Sequence, residues 1–346
     1  MSSRLFFLLS GEHPTLPQAE LRAILEAEGF SYEVQGELSQ LVSLSCHVAC
    51  AQAVARRAAM TRACCLEVFS CEADEGEILR SCREAPLPDL LKPGATFRVR
   101  VRRVRGSSRS LSTLRLEKEL GAIIFKRVKG LKVDLASPEL DFLGVLTDGR
   151  FFFGLKLCEV APRGFVDRRP SRRPFFHPTA MMPKLARCMV NLTRARAGEL
   201  FLDPFCGTGS ILIEAALIGC QVVGLDIDKR MCFGCLLNAR FLSLEPAGVV
   251  IADALRPPVR KADRVATDPP YGRSATTAGR SVKGLFEGFL PELPELLPRG
   301  HMACVAAPSE LCISDMALDA GLKPVEAYFF FVHDALTREL AVLAVP

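Results

Sequence analysis

The chain lacks any apolar run of the roughly eighteen residues or more that a membrane-spanning helix needs, so no span is expected. The stretch "LFFLL" near the start is five residues long and soon meets Gly11, Glu12, His13 and Pro14. That is too short for the apolar region of a secretory signal and reads as a first strand. A disulfide framework is also missing. The fourteen cysteines are irregularly spaced in a chain of 346 residues. With no export signal expected, they read as reduced thiols in a cytoplasmic protein. Zinc-site spacing is absent too: Cys232 and Cys235 form a lone C-x-x-C, and Cys46-His47 sits near Cys50, but neither has a second half. Both groups fall in apolar, helical stretches and read as small core residues, so no metal is expected. With 49% hydrophobic residues, disorder is excluded and a sizeable core is expected.

Acidic residues are scarce in one place. Residues 98–132 hold twelve Lys/Arg against Glu117 and Glu119, a local charge of +10 in a chain of formal charge +5. Such a segment suits a polyanion. Within it, "FRVRVRRVRG" (97–106) alternates Phe97, Val99 and Val101 with Arg98, Arg100 and Arg102, the pattern of a strand whose wet face is all arginine. "STLRLEKELGAIIFKRVKG" follows as a helix with Leu116, Leu120, Ile123 and Ile124 on its apolar stripe. Strand and helix together read as a phosphate-binding surface.

Upstream, "TLPQAELRAILEAEG" predicts a capped helix ending at Gly29, and "SQLVSLSCHVACAQAVARRAAM" a strand running into a second helix. "PRGFVDRRPSRRP" (162–174), with three prolines and five arginines, reads as a linker able to touch nucleic acid. Beyond it, strand-like and helical runs alternate from "GELFLDPF" to "DRVATDPPY", which implies βαβ units and a mostly parallel sheet. The tail reads as an antiparallel hairpin on the sheet edge, with Phe329 to Phe331 as core.

"FLDPFCGTGSILIEAALIG" places a glycine-rich turn between a strand and a helix. The third glycine of a dinucleotide fingerprint is lacking, since Leu212 stands there, and no lysine follows to make a P-loop. What is present is a set of acids at strand ends: Asp203, Asp226, Asp253 and Asp268. In an open parallel sheet, ligands lie beyond the carboxyl ends of the strands. Four carboxylates on one rim suit S-adenosylmethionine, which carries ribose hydroxyls, an amino group, an ammonium and a sulfonium.

"DPFCGTGSILIEAA", "GLDID", "ADA" and "TDPPYG" together resemble the class I Rossmann-like methyltransferases that modify exocyclic amines of nucleobases. "RRPFFHPTAMMPKLARCMVNL" resembles the upstream motif of the RNA guanine-N2 branch. "VDLASPELDFLGVL" and "FFFGLKL" are similar to a THUMP domain. The chain thus resembles the archaeal-type tRNA guanine-10 N2-methyltransferases over nearly its whole length. The resemblance implies an α/β fold. Its carboxyl-terminal part is a Rossmann-like methyltransferase domain on a mixed, mostly parallel seven-stranded sheet, preceded by an α+β region containing a THUMP domain. The expected division is a ferredoxin-like subdomain at 1–59, the THUMP domain at 60–158, a linker at 159–175 and the methyltransferase domain at 176–346.

By the same resemblance, Asp203, Cys206, Gly207 and Gly209 surround the methionine end of the cofactor. Asp226 binds the ribose, Asp253 lies on the adenine side, and Phe205, Ile227, Ala254 and His177 complete the cofactor set. His177 reads first as a cap or packed residue at a helix start. Asp268, Pro269, Pro270 and Tyr271 match the family's (D/N)PPY motif and carry catalysis. The implied substrate is tRNA. A small zinc-containing activator subunit, used by some relatives, is an open partner. An rRNA guanine-N2 methyltransferase, a DNA amino methyltransferase and a non-catalytic RNA-binding protein stay open as alternatives.

The motif has a chemical logic. The guanine amine is a poor nucleophile because its lone pair is spread into the ring. Two acceptors, the Asp268 carboxylate and the Pro269 carbonyl, favour a pyramidal nitrogen and stabilise the charge that develops on it. Tyr271, with Phe176 as a second candidate, can stack on an unstacked base. Cys206 sits inside the cofactor loop and reads as a small packing residue rather than a nucleophile.

Overall fold

Alternating and short apolar runs become strands, and 3.6-periodic runs become helices, in the computed structural model, which describes residues 2–87, 94–161, 163–271, 279–333 and 336–346. Two units emerge: one from Met1–Gln18, Gly29–Ala55 and Met60–Val160, the other from Ala19–Glu28, Arg56–Ala59 and Ala161–Pro346.

The amino-terminal elements are β1 (Ser2–Leu9), α1 (Leu16–Ala27), β2 (Tyr32–Leu38), β3 (Leu41–His47), α2 (Cys50–Arg57), β4 (Thr61–Glu72) and α3 (Glu75–Glu84). β5 (Thr96–Arg103), α4 (Thr113–Arg127), β6 (Lys132–Val133), β7 (Leu140–Thr147) and β8 (Arg150–Glu159) follow. The eight strands form one sheet in the order β2-β3-β1-β4-β8-β7-β5-β6, so the strands of 1–59 and of the THUMP segment share a ladder. Phe97, Val99 and Val101 turn inward as the alternation requires and meet Leu116, Leu120 and Ile124 of α4. Cys46 and Cys50 are buried in the core of this unit.

The arginine face of β5 differs from expectation. Arg98 donates twice to Asp141, at 2.9 and 2.7 Å. Asp141 also pairs with Lys156. Arg100 lies 3.3 Å from Glu117. Arg102 is exposed, with no partner among the described residues. Pairing across β5-β7 and β5-α4 therefore neutralises two of the three charges, and the open cation of this stripe is Arg102.

The carboxyl-terminal unit contains α5 (Arg163–Asp167), α6 (Pro183–Leu192), β9 (Leu200–Asp203), α7 (Ser210–Leu217), β10 (Gln221–Asp226), α8 (Lys229–Phe241), β11 (Gly248–Ile251) and β12 (Arg264–Thr267). Then come α9 (Val282–Phe289), α10 (Glu292–Leu296), β13 (Met302–Pro308), α11 (Ile313–Asp319), β14 (Lys323–His333) and β15 (Leu336–Ala344). Its sheet runs β11-β10-β9-β12-β13-β15-β14. The first five strands are parallel, and β15 is antiparallel to both β13 and β14. The mostly parallel sheet is as the alternation predicts, its seven strands are as the resemblance implies, and the edge hairpin is as the tail reads. Strand order reverses between β9 and β12, which opens the crevice where such sheets bind ligands.

Phe329 and Phe331 are a correction to the sequence reading: they are 57% and 68% exposed on the edge strand β14, not core. The segment 163–174 also differs from a free linker. Arg168 donates to both oxygens of the fully buried Glu214 at 2.8 and 3.0 Å. Arg187 reaches the same carboxylate at 2.8 Å, and Arg173 donates to Ser210. The chain is thereby pinned to α7, while Arg169 and Arg172 remain outside. Asn191, buried on α6, ties in Glu20 and Arg57 at 2.8 and 3.2 Å.

Candidate active site

Each acid of the rim is placed by the end of a parallel strand. Asp203 closes β9 and is 1% exposed. The Thr267 hydroxyl donates to its Oδ1 at 2.7 Å, and the Phe205 N–H at 3.2 Å. Burial pushes the Asp203 carboxyl up to about 7 against those two donors, and Asp226 and Asp268 push the same way. Asp226 closes β10 and accepts the N–H of Gly207 at 2.9 Å and of Asp228 at 2.8 Å. Burial raises it too, against these N–H groups.

The turn between β9 and α7 is built by its glycines. Gly207 has φ +49°, and a Cβ there would meet no atom of the described residues within 4 Å, so its backbone faces open space among them. Gly209, at φ +85°, would put a Cβ 2.7 Å from Cys235 Sγ, so a side chain there would push α8 away. Cys206 is 4% exposed and donates its N–H to the Leu225 carbonyl, a packing role.

At the end of β12, Asp268 accepts a hydrogen bond on Oδ1 from the Tyr271 hydroxyl. Its Oδ2 lies 3.4 Å from Arg338 Nη2. The same guanidinium sits 5.4 Å from the centre of the Tyr271 ring. Burial lifts the Asp268 carboxyl above the usual range, opposed by Arg338 and the Tyr271 hydroxyl. Burial and Asp268 together push the Tyr271 phenol well up, so it remains a donor. Pro269 is buried, and neither proline offers an N–H to compete for the carboxylate.

Residues 170–338 match the RMKL-like methyltransferase domain, and residues 72–155 match the THUMP domain. A tRNA (guanine(10)-N2)-dimethyltransferase of Methanothermobacter thermautotrophicus is 38% identical over 338 residues, 97% of this chain and 98% of the relative. The chain belongs to the tRNA guanine-10 N2-methyltransferase family. A second member, from Methanocaldococcus jannaschii, is 31% identical across 97% of this chain and 98% of its own. The crystal structure of TrmN from Thermus thermophilus shares the fold with TM-score 0.58 and 22% identity, covering 99% of this chain and 100% of that one.

Against the family pattern, Asp203, Asp226 and Asp268 are electrostatic neighbours. Asp253 follows β11 and is engaged by Arg280 at 2.8 Å and by the Leu255 N–H at 3.1 Å. Burial would raise its carboxyl, but Leu255 and Arg280 outweigh it and hold it below the usual range. Phe205 packs edge-on against Phe289 with ring centres 5.2 Å apart. Ala254 is buried in the core, whereas Ile227 is 45% exposed. His177 sits ahead of α6, its Nδ1 2.7 Å from the Thr179 hydroxyl. The helix itself begins at Pro183, a residue suited to a first helical position, so His177 does not cap it. Phe176 is 57% exposed. Gly272, which closes the "TDPPYG" run, lies outside the described residues. Sequence reasoning missed Thr267, Arg280 and Arg338. Thr267 was legible beside Asp268, but Arg338 comes from a distant strand and left no local signal.

Proposed function

We propose that this chain transfers a methyl group from S-adenosylmethionine to the exocyclic N2 of a guanosine in tRNA, at position 10, giving the N2-methyl and then the N2,N2-dimethyl product. The observation that carries the reading is the "TDPPY" run held at the end of β12, beside Asp203 and Asp226, in a family member matched along nearly its full length. The donor set fits the cofactor: acceptor-rich carboxylates suit hydroxyls and a cationic centre, and the open space over Gly207 leaves room for close approach. Asp226 is suited to the ribose hydroxyls, Asp253 to the adenine side, and the Gly207 turn to the methionine end. When bound, S-adenosylmethionine supplies an electrophilic methyl on sulfonium.

The chain's own groups do the rest. Asp268 accepts one N–H of the amine and the Pro269 carbonyl the other, which aims the nitrogen lone pair and stabilises its growing positive charge. Two fixed acceptors of this kind contribute mostly through orientation. Tyr271 offers a ring for the unstacked base. The methylated amine loses its proton to Asp268 or to water. The open cations of residues 98–132 supply phosphate contacts, and the THUMP match together with the tRNA-methylating relatives favours an RNA substrate over duplex DNA.

Unmodified tRNA incubated with the chain and S-adenosylmethionine, then digested for nucleoside mass spectrometry and mapped by position, tests the reading. N2-methylated guanosine at position 10 is expected. Methylation confined to rRNA or DNA, or none, overturns it.

A further inference from the structure

Both oxygens of Asp268 are already engaged within the site, and by different kinds of group. Tyr271, three residues on in the same loop, donates to Oδ1. Arg338 approaches Oδ2 at 3.4 Å from β15, the antiparallel strand next to β13. Register sets Arg338 opposite Pro308, at the end of β13. Its neighbour Glu339 is 2% exposed and accepts the Ile313 N–H and the Ser314 hydroxyl at 3.1 and 2.6 Å. Successive residues of a strand point to opposite faces, so anchoring Glu339 on α11 directs Arg338 to the other face. The guanidinium is further held over the Tyr271 ring.

We propose that Arg338 is a positioning residue for methyl transfer: it pins Asp268 Oδ2 from β15, so that Oδ1 alone changes partner, from the Tyr271 hydroxyl in the resting site to the amine of the target base. This inference rests on the functional reading above. A loop tyrosine can leave Oδ1 when a base enters, while an arginine on a sheet strand holds its place. The carboxylate then keeps its charge and direction through the exchange.

Arg338 Nε is buried without a hydrogen-bond partner among the described residues. Among the described residues, the charged and titratable groups around Asp268 are Arg338 from β15, Tyr271 from its own loop and Asp203 from β9. Arg338 supplies the positive charge among them, and an opposite charge at this range favours the ionised carboxyl.

The test uses the full chain with carbon-13 aspartate, the Asp268 carboxyl being assigned by its loss in Asp268→Asn. In Arg338→Met, the Asp268 titration midpoint is expected to rise by about one pH unit or more. The acid limb of kcat for tRNA methylation should move up with it, while KM for S-adenosylmethionine changes by less than about twofold, since uniform binding is untouched. Arg338→Lys should restore the midpoint yet leave kcat below wild type, because an ammonium lacks the fixed fork. An unmoved midpoint in Arg338→Met overturns the proposal, as does a moved midpoint with wild-type kcat. If Arg338→Met does not fold, Arg338→Lys decides alone: reduced kcat with a wild-type midpoint supports the proposal, and wild-type kcat sinks it. If the wild-type chain transfers no methyl group, the functional reading fails, and the midpoint in Arg338→Met alone decides whether Asp268 is pinned.

Discussion

Replacing Asp203 by Asn should make the protein more stable at alkaline pH. The carboxyl is 1% exposed, and burial raises it to about 7. In the unfolded chain the same group releases its proton near pH 4. Between those values the folded state holds a proton that the unfolded state has lost, so stability falls as pH rises from about 4 to about 7 and then levels. Roughly three pH units at about 1.4 kcal/mol each set a ceiling of about 4 kcal/mol above pH 7. Asn keeps the acceptor that Thr267 and Phe205 use and carries no charge to bury. The stability difference, variant minus wild type, should therefore be about 1 kcal/mol at pH 4.5 and grow to a plateau above pH 7. For a unit of this size 1 kcal/mol is about 2–4 °C in Tm, so the gain reaches several degrees. Calorimetry of both proteins from pH 4.5 to 8.5 reads it directly. A difference that does not vary with pH, or an Asn variant less stable at pH 8, would refute the burial argument. Activity should fall in the same variant, because the charge beside the reacting centre is gone.

Three other outcomes follow, two from ion pairs and one from the open arginine of β5. Glu214→Gln leaves Arg168 and Arg187 facing a neutral amide in a fully buried position, and it should destabilise by about 3–5 kcal/mol, seen as a lower Tm. Arg102→Glu should weaken tRNA binding and reduce the slope of log K against log salt by about one or more, read from binding at several ionic strengths, with Tm unchanged. Arg98→Glu should lower Tm as well, since it places a second carboxylate against Asp141.

Much of the catalytic unit was legible because its signals are local. The βαβ alternation, the acids at the ends of β9 and β10 and the motif after β12 each occupy a few consecutive residues, and strand periodicity places them on one rim. What was hidden depends on pairing across the chain. Arg98 and Arg100 look like open cations until folding brings Asp141 and Glu117 to them, 43 and 17 residues away. "YFFFV" looks like core because apolar runs usually are. Only the insertion of β15 between β13 and β14 leaves β14 at the edge with Phe329 and Phe331 outward. The same insertion delivers Arg338 to Asp268, which no spacing in the sequence announces. The inward arginines of 163–174 follow from Glu214, the one charged residue of the helix "SILIEAAL", whose burial no local spacing announces.

The account stands on the chemical role of the carboxylate after β12, and Asp268→Asn measured on unmodified tRNA addresses it most directly. Single-turnover methylation should fall by at least about a hundredfold, the scale of losing one group that stabilises developing charge, with tRNA and S-adenosylmethionine affinities within a few-fold of wild type. Wild-type turnover in that variant, or a loss explained wholly by weaker binding, would contradict it.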